Sequence, residues 1–180
     1  MALDPEQKGI LSRSGAAILV SAVALGAAYV WIPAGLFGLN DDMNAGDRIA
    51  FALKVDLPVF LWLAGCLRAV SGGRYRTPAD RKGAAYGKPT PALAIMIAVL
   101  QNSLEQTVLA LGAHLILATV LRGQELVLIP VMVLLYMVGR FAFAINYSKG
   151  AVARAFGMAL TGAPIVIGYL LAAALLVAGR

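Results

Sequence analysis

Three polar side chains lie close together inside a long apolar stretch of the sequence, at Gln101, Asn102 and Glu105. Asn102 and Glu105 are three residues apart, and Gln101 and Glu105 are four apart, so in a helix all three share one face. A charged side chain in the middle of a bilayer costs about 2.5–3.5 kcal/mol on insertion scales. An intramembrane carboxylate therefore indicates a site, and its partners must be sought elsewhere in the chain.

A second polar stripe follows further along the sequence. Four of its members are spaced by four, three and four residues, which places them on one helical face: Tyr136, Arg140, Phe143 and Tyr147. Arg154 comes seven residues after Tyr147, across Gly150, which permits a turn between two helices. The two stripes and Arg154 together would offer one carboxylate, two amides, the phenol of Tyr147 and two guanidinium groups.

This set of groups suits a zwitterionic or peptide-like ligand. A guanidinium fork binds a carboxylate through two parallel hydrogen bonds, and a carboxylate such as that of Glu105 can accept from an ammonium. The alternative is a purely structural network, in which Glu105 pairs with Arg140 and the amides bond across helices. His114 lies about half a turn away in azimuth from Glu105 and is predicted to form a packing hydrogen bond instead.

The composition indicates an integral membrane protein. Of 180 residues, 61% are hydrophobic and 13% charged, and the mean hydropathy is +0.82, which is too apolar for a soluble domain. The net charge of +6 comes from basic residues in the gaps between apolar segments, so we expect no nucleic-acid partner. Cys66, the single cysteine, is predicted to be a packing residue, and one His with few clustered carboxylates indicates no metal site.

Five segments reach the length of about 20 residues that a transmembrane helix needs, at 14–38, 49–70, 91–121, 125–147 and 153–178. The first exceeds the apolar region of a signal peptide, so we interpret it as a retained anchor helix. Asp47 is the predicted N-cap of the second helix, with Lys54 and Asp56 near the start of that helix and close to the interface.

The distribution of Lys and Arg predicts the topology. Most of them lie on the side that holds the N-terminus and the second and fourth connections, including the basic loop at about 71–90. The positive-inside rule then predicts a multi-pass protein with a cytoplasmic N-terminus and an external C-terminus. This topology brings the polar part of the third helix, the end of the fourth and the start of the fifth to one leaflet.

The spacing of these residues resembles a known family. Asn-x-x-Glu at Asn102 and Glu105, followed by Arg-x6-Tyr-x6-Arg at Arg140, Tyr147 and Arg154, is similar to the membrane-associated proteins in eicosanoid and glutathione metabolism (MAPEG). This family contains microsomal glutathione transferases and leukotriene-synthesising enzymes, and the similarity covers about residues 50–178. It implies an all-α membrane protein whose residues 49–180 form a four-helix bundle, preceded in residues 1–48 by a tail, one extra transmembrane helix and a polar turn.

The resemblance also implies a homotrimer that binds glutathione between neighbouring subunits on the cytoplasmic side. Asn102 and Glu105 would hold the peptide part of glutathione, and Arg154 would face its thiol. The remaining implied binding residues are Arg68, Arg140 and Tyr147. An adjacent cation lowers the pKa of a thiol from about 8.5 toward neutrality, and the thiolate is the nucleophile.

The sequence departs from the family pattern at three positions. Phe143 keeps an aromatic ring found in some members but lacks its hydroxyl. An Arg expected four residues before Asn102 is Ala98, and an Arg found directly before it in other members is Gln101. The implied function is a glutathione-dependent transferase or peroxidase that acts on hydrophobic electrophiles from the bilayer. The alternative is a non-catalytic member that binds a lipid or a partner protein in the same crevice.

Overall fold

The computed structural model describes residues 3–83 and 85–180. Within them the chain forms helices joined by short 3₁₀ turns, and no strand is present in these two ranges. The helices are α1 (Pro5–Trp31), α2 (Ala45–Val55), α3 (Leu57–Arg76), α4 (Pro91–Val120), α5 (Leu128–Asn146) and α6 (Ala151–Val177). Five stretches of the described chain are long and apolar enough to cross a membrane, with α2 and α3 counted as one, which confirms the predicted all-α, multi-pass architecture.

The second span is not one continuous helix. α2 ends at Val55 and α3 begins at Leu57, with Pro58 in its first turn, where the missing N–H interrupts the helical hydrogen-bond ladder. Asp56 lies at this break, only 1% exposed, and its Oδ1 is 2.6 Å from Nδ1 of the equally buried His114. Asp56 is therefore enclosed by the protein, and the predicted packing hydrogen bond of His114 is confirmed.

The start of α2 also differs from the prediction. Asn44, not Asp47, is the N-cap, and its Oδ1 accepts from the Asp47 backbone N–H at 3.1 Å. Asp47 in turn accepts from the Asn44 backbone N–H at 3.2 Å, which completes a capping box. The sequence does not distinguish the two, because both residues have a side chain of the capping type and they stand only one helical turn apart.

α4 lies at the centre of the bundle and contacts α2, α3, α5 and α6. This position explains why one face of α4 carries buried polar groups, among them Ser103, Thr107 and His114. The Thr107 hydroxyl is 2.7 Å from the Tyr136 hydroxyl on α5, so these polar groups are satisfied inside the protein.

α5 and α6 approach each other so closely that their backbones touch at Gly139 and Gly157. A Cβ at Gly157 would lie 2.7 Å from the Gly139 carbonyl oxygen and 2.8 Å from Cα of Phe143. Only glycine leaves room for this approach, as in small-residue packing of other membrane helices. The contact sets the distance between the two helices that carry Arg140 and Arg154.

α1 packs mainly on α6, with additional contacts to α5. Its buried face consists of residues three or four apart, Ala17, Ser21, Leu25 and Ala28. The far end of α1 is held by Gln124, whose Nε2 donates to the Ile32 carbonyl at 2.5 Å. The extra helix therefore packs on the helix that carries Arg154, and its far end is held by the segment that precedes α5.

Candidate functional site

A crevice of about 400 Å³ opens near the turn between α5 and α6. Four helices contribute to its wall, and its polar or aromatic lining residues are Ser14, Asn102, Phe143, Tyr147 and Arg154. The volume is within the range of small-molecule sites, which is about 300–1,000 Å³. The predicted residues Asn102, Tyr147 and Arg154 are thus brought together around one cavity.

Arg154 is placed by the turn that precedes α6. Gly150 has φ 99°, a left-handed value that favours glycine, and α6 begins at the next residue. Arg154 therefore lies in the first turn of α6, and its Cζ is 4.5 Å from the centre of the Tyr147 ring, a cation–π contact. Two salt bridges occur in residues 3–83 and 85–180, and neither includes Arg154.

This environment favours an anionic ligand beside Arg154. The N-terminus of a helix carries partial positive charge, so a cation in the first turn is disfavoured unless an anion lies nearby. No carboxylate of the described chain supplies that charge to Arg154 through a salt bridge. The crevice therefore offers a half-buried guanidinium whose charge is available to a ligand.

Arg140 lies behind this crevice and is completely buried, at 0% exposure. Its Nη1 donates to Asn102 Oδ1 at 2.7 Å, and its Nε donates to Thr161 Oγ1 at 2.9 Å. Its Cζ also lies 4.6 Å from the centre of the Phe143 ring. Arg140 thus joins α4, α5 and α6 and fixes the orientation of the Asn102 amide.

Of the alternative structural network, the pairing of Glu105 with Arg140 is wrong, whereas the bonding of an amide across helices is confirmed between Asn102 and Arg140. Glu105 is exposed, and its Oε1 accepts from Gln101 Nε2 at 3.0 Å on the same helix. Asn102 takes the place next to Arg140, because it lies on the inner side of the polar face of α4. The buried guanidinium is therefore held by neutral acceptors and an aromatic ring.

The remaining predicted site residues lie outside this crevice. Glu105 is on the outer surface of α4, and Arg68 is exposed on α3. Neither lines the cavity that contains Arg154. A single chain therefore does not bring Glu105 and Arg68 to the crevice of Arg154, and their roles in glutathione binding remain predictions.

Sequence reasoning missed three residues of the site. Thr161 accepts from Arg140, and its position seven residues after Arg154 could have placed it on the same face of α6. Ile10 and Ser14 on α1 also line the crevice. No motif distinguishes them, since they belong to an apolar helix whose neighbours the sequence does not specify.

A second cavity of about 610 Å³ lies between α3, α4 and α5. Its walls are almost wholly apolar and include Trp62, Cys66 and Phe141. Trp62 Nε1 donates to Ser103 Oγ at 3.0 Å, and Cys66 Sγ is 3.8 Å from the same hydroxyl. Cys66 is half-buried at the wall of this apolar groove, so it is more accessible than a pure packing residue would be.

Comparison with known proteins identifies the family. A model of the MAPEG family matches residues 49–175, a range that contains all six predicted site residues and excludes α1. No curated protein and no solved structure matches the chain. Because the matched range covers more than half of a chain that folds into five membrane-spanning helical stretches, this protein belongs to the MAPEG family.

Proposed function

We propose that this protein is a glutathione-dependent transferase or peroxidase that acts on hydrophobic electrophiles within the membrane. The observation that carries the proposal is the charge of Arg154, which lines the crevice and forms no salt bridge with any described residue. MAPEG membership supports glutathione as the thiol substrate.

Arg154 would stabilise the thiolate of glutathione, which is the nucleophilic form. Each unit by which the thiol pKa falls corresponds to about 1.4 kcal/mol, or a tenfold change in the thiol–thiolate equilibrium. The Tyr147 ring holds the guanidinium in position. Asn102 uses its carbonyl oxygen on Arg140, so its amide N–H groups are the ones that would donate to the peptide part of the ligand.

The exposed polar residues support a further part of the proposal, a homotrimer. Glu105 and Gln101 lie on the outer face of a membrane-spanning helix, where contact with lipid would be costly for a carboxylate. A neighbouring subunit would cover this face and would bring Arg68 or Glu105 of one chain toward the glutathione of another. In this arrangement the cytoplasmic end would be the one that holds the N-terminus and the turn between α5 and α6, as the basic loops predict.

The apolar groove favours a second candidate function, lipid binding without catalysis. Its volume of about 610 Å³ and its apolar wall fit an acyl chain that enters from the bilayer. The same groove would serve an enzyme as a place for a hydrophobic electrophile. The two functions differ in their dependence on Arg154, because lipid binding in the groove does not use its charge.

A conjugation assay with glutathione and a generic electrophile tests the proposal. Arg154→Ala should reduce kcat/KM at least tenfold at pH 7, which corresponds to a rise of one unit in the thiol pKa. Raising the pH should recover much of the loss, because the thiolate then forms without the cation. Lys149→Ala is the matched control, an exposed cation near the same turn, and should retain wild-type activity.

Equal activity of wild type and Arg154→Ala across the pH range would contradict the role of Arg154. Absence of any conjugation by the wild type, together with saturable lipid binding that Arg154→Ala leaves unchanged, would support the non-catalytic function instead.

A further inference from the structure

We propose that α1 forms a wall of the crevice within the same chain, so that Ile10 and Ser14 contact the ligand bound beside Arg154. Both side chains line the cavity with Asn102 and Arg154, although α1 lies outside the range that matches the family. The identity of the ligand as glutathione rests on the proposed function, whereas the position of the wall does not.

The contacts between α1 and α6 carry this proposal. A Cβ at Gly9 would lie 3.0 Å from Cγ1 of Val152, so the two helices are in direct contact beside the turn that places Arg154. Ile10 follows Gly9, and Ser14 lies one helical turn further on, so the two face the crevice together. Ala17 and Ser21, both 0% exposed, continue the same packing along α6.

The chemistry of this wall limits the ligand. Ile10 offers apolar surface and Ser14 a single hydroxyl, so this side of the crevice brings no charge toward Arg154. A ligand with an anionic group at Arg154 and an apolar or hydroxyl-bonding group toward α1 fits the arrangement. Because α1 closes this side of the crevice, a neighbouring subunit contributes no residue there.

A disulfide tests whether α1 and α6 of one chain pack together. The Cβ at Gly9 would be 3.8 Å from Cβ of Val152. This distance equals the mean Cβ–Cβ separation in disulfides, about 3.8 Å. In full-length protein with Cys66→Ser, the pair Gly9→Cys and Val152→Cys should oxidise to a link within one chain, which runs as a monomer on a non-reducing denaturing gel. A disulfide-linked dimer, or no link, would overturn the proposal.

The matched control for this cross-link is the pair Gly15→Cys and Val152→Cys. Among the described residues, no atom beyond its chain neighbours and its own helix backbone would lie within 4 Å of a Cβ at Gly15, so this pair should stay reduced under the same oxidant. Equal cross-linking of the two pairs would mean that α1 is not held in the observed register.

Charged thiol reagents test whether Ser14 faces Arg154. In the Cys66→Ser protein, Ser14→Cys should react several-fold faster with an anionic methanethiosulfonate than with a cationic one, and Arg154→Ala should remove this preference. Ser12→Cys is the matched control, because Ser12 is exposed on the opposite side of α1 at nearly the same depth, and it should show no effect of Arg154→Ala. An equal response of both positions to Arg154→Ala would refute the wall.

Added glutathione separates this inference from the proposed function. If glutathione protects Ser14→Cys from the thiol reagents, the result would support both the position of α1 at the crevice and the proposed function. A charge preference that Arg154→Ala abolishes, without protection by glutathione, would keep the wall and reject glutathione as its ligand. If the wild type conjugates glutathione but Ser14→Cys shows no charge preference, the proposed enzymatic function would stand and the position of Ser14 at the crevice would be refuted.

Discussion

Replacement of Gly157 by alanine tests the contact that holds the two arginine-bearing helices together. The new Cβ would lie 2.7 Å from the Gly139 carbonyl oxygen, and closer still to the Phe143 backbone nitrogen. Ordinary van der Waals contact begins at 3.4 Å. Because both obstructing atoms belong to the backbone, α5 and α6 must separate by at least about 0.7 Å, since no side chain can rotate away.

The energetic effect has two parts of opposite sign. Overpacking in a close-packed interior costs about 1–3 kcal/mol, whereas replacing a helical glycine by alanine gains about 0.5–1 kcal/mol. We expect a net loss of about 1–2 kcal/mol, which corresponds to a Tm lowered by about 2–8 °C for a chain of this size. The separation would also lengthen the bond between Arg140 and Thr161, which spans the same two helices.

Thermal unfolding in detergent or nanodiscs measures this effect. Gly162→Ala is the matched control on α6, because among the described residues outside its own helix its Cβ would meet only Gln106 Oε1, at the ordinary distance of 3.8 Å. The control should match or slightly exceed the wild-type Tm. If Gly157→Ala proved as stable as Gly162→Ala, the backbone contact between α5 and α6 would be refuted.

Three further predictions concern the polar contacts inside the bundle. Asp56→Ala should destabilise the protein by about 3–5 kcal/mol, because Asp56 and His114 are buried together. The double variant with His114→Ala should lose less stability than the two single variants combined, and additive losses in denaturant unfolding would argue against the pair. Asn102→Ala should lower the free energy of unfolding by about 1.5–3 kcal/mol, because it removes an acceptor from Arg140. Gln101 is exposed on the same helix, so Gln101→Ala should change Tm little, and equal Tm values for the two variants would contradict the buried network. Gln124→Ala should increase hydrogen exchange at residues 29–34, where its amide holds the end of α1, and unchanged exchange there would show that this anchor is unimportant.

The sequence predicted the membrane spans and the polar stripes because length and helical period determine them directly. Asn102, Tyr147 and Arg154 meet at one crevice, as the spacing and topology suggested. The choice of partner for Arg140 could not be predicted, because Asn102 and Glu105 differ by only about 60° around α4. Packing decides which of them turns inward, and packing is not encoded in the spacing of one helix.

Two other features depend on contacts that a single segment does not specify. The run 49–70 looked continuous, yet Pro58 and the buried Asp56 divide it where His114 lies on another helix. α1 is apolar on most sides, so its sequence indicated a membrane span without indicating which helix it covers. The glycine contact between α5 and α6 likewise becomes visible only when both backbones are placed.

The most direct test of the central claim is the ultraviolet absorbance of the glutathione thiolate on the purified protein at neutral pH. A glutathione-dependent thiolate signal is expected with the wild type and with Lys149→Ala, and Arg154→Ala should lose it, because the guanidinium that stabilises the anion is gone. A wild type without the signal, or an Arg154→Ala protein that retains it in full, would contradict the assignment of this crevice as a thiolate site.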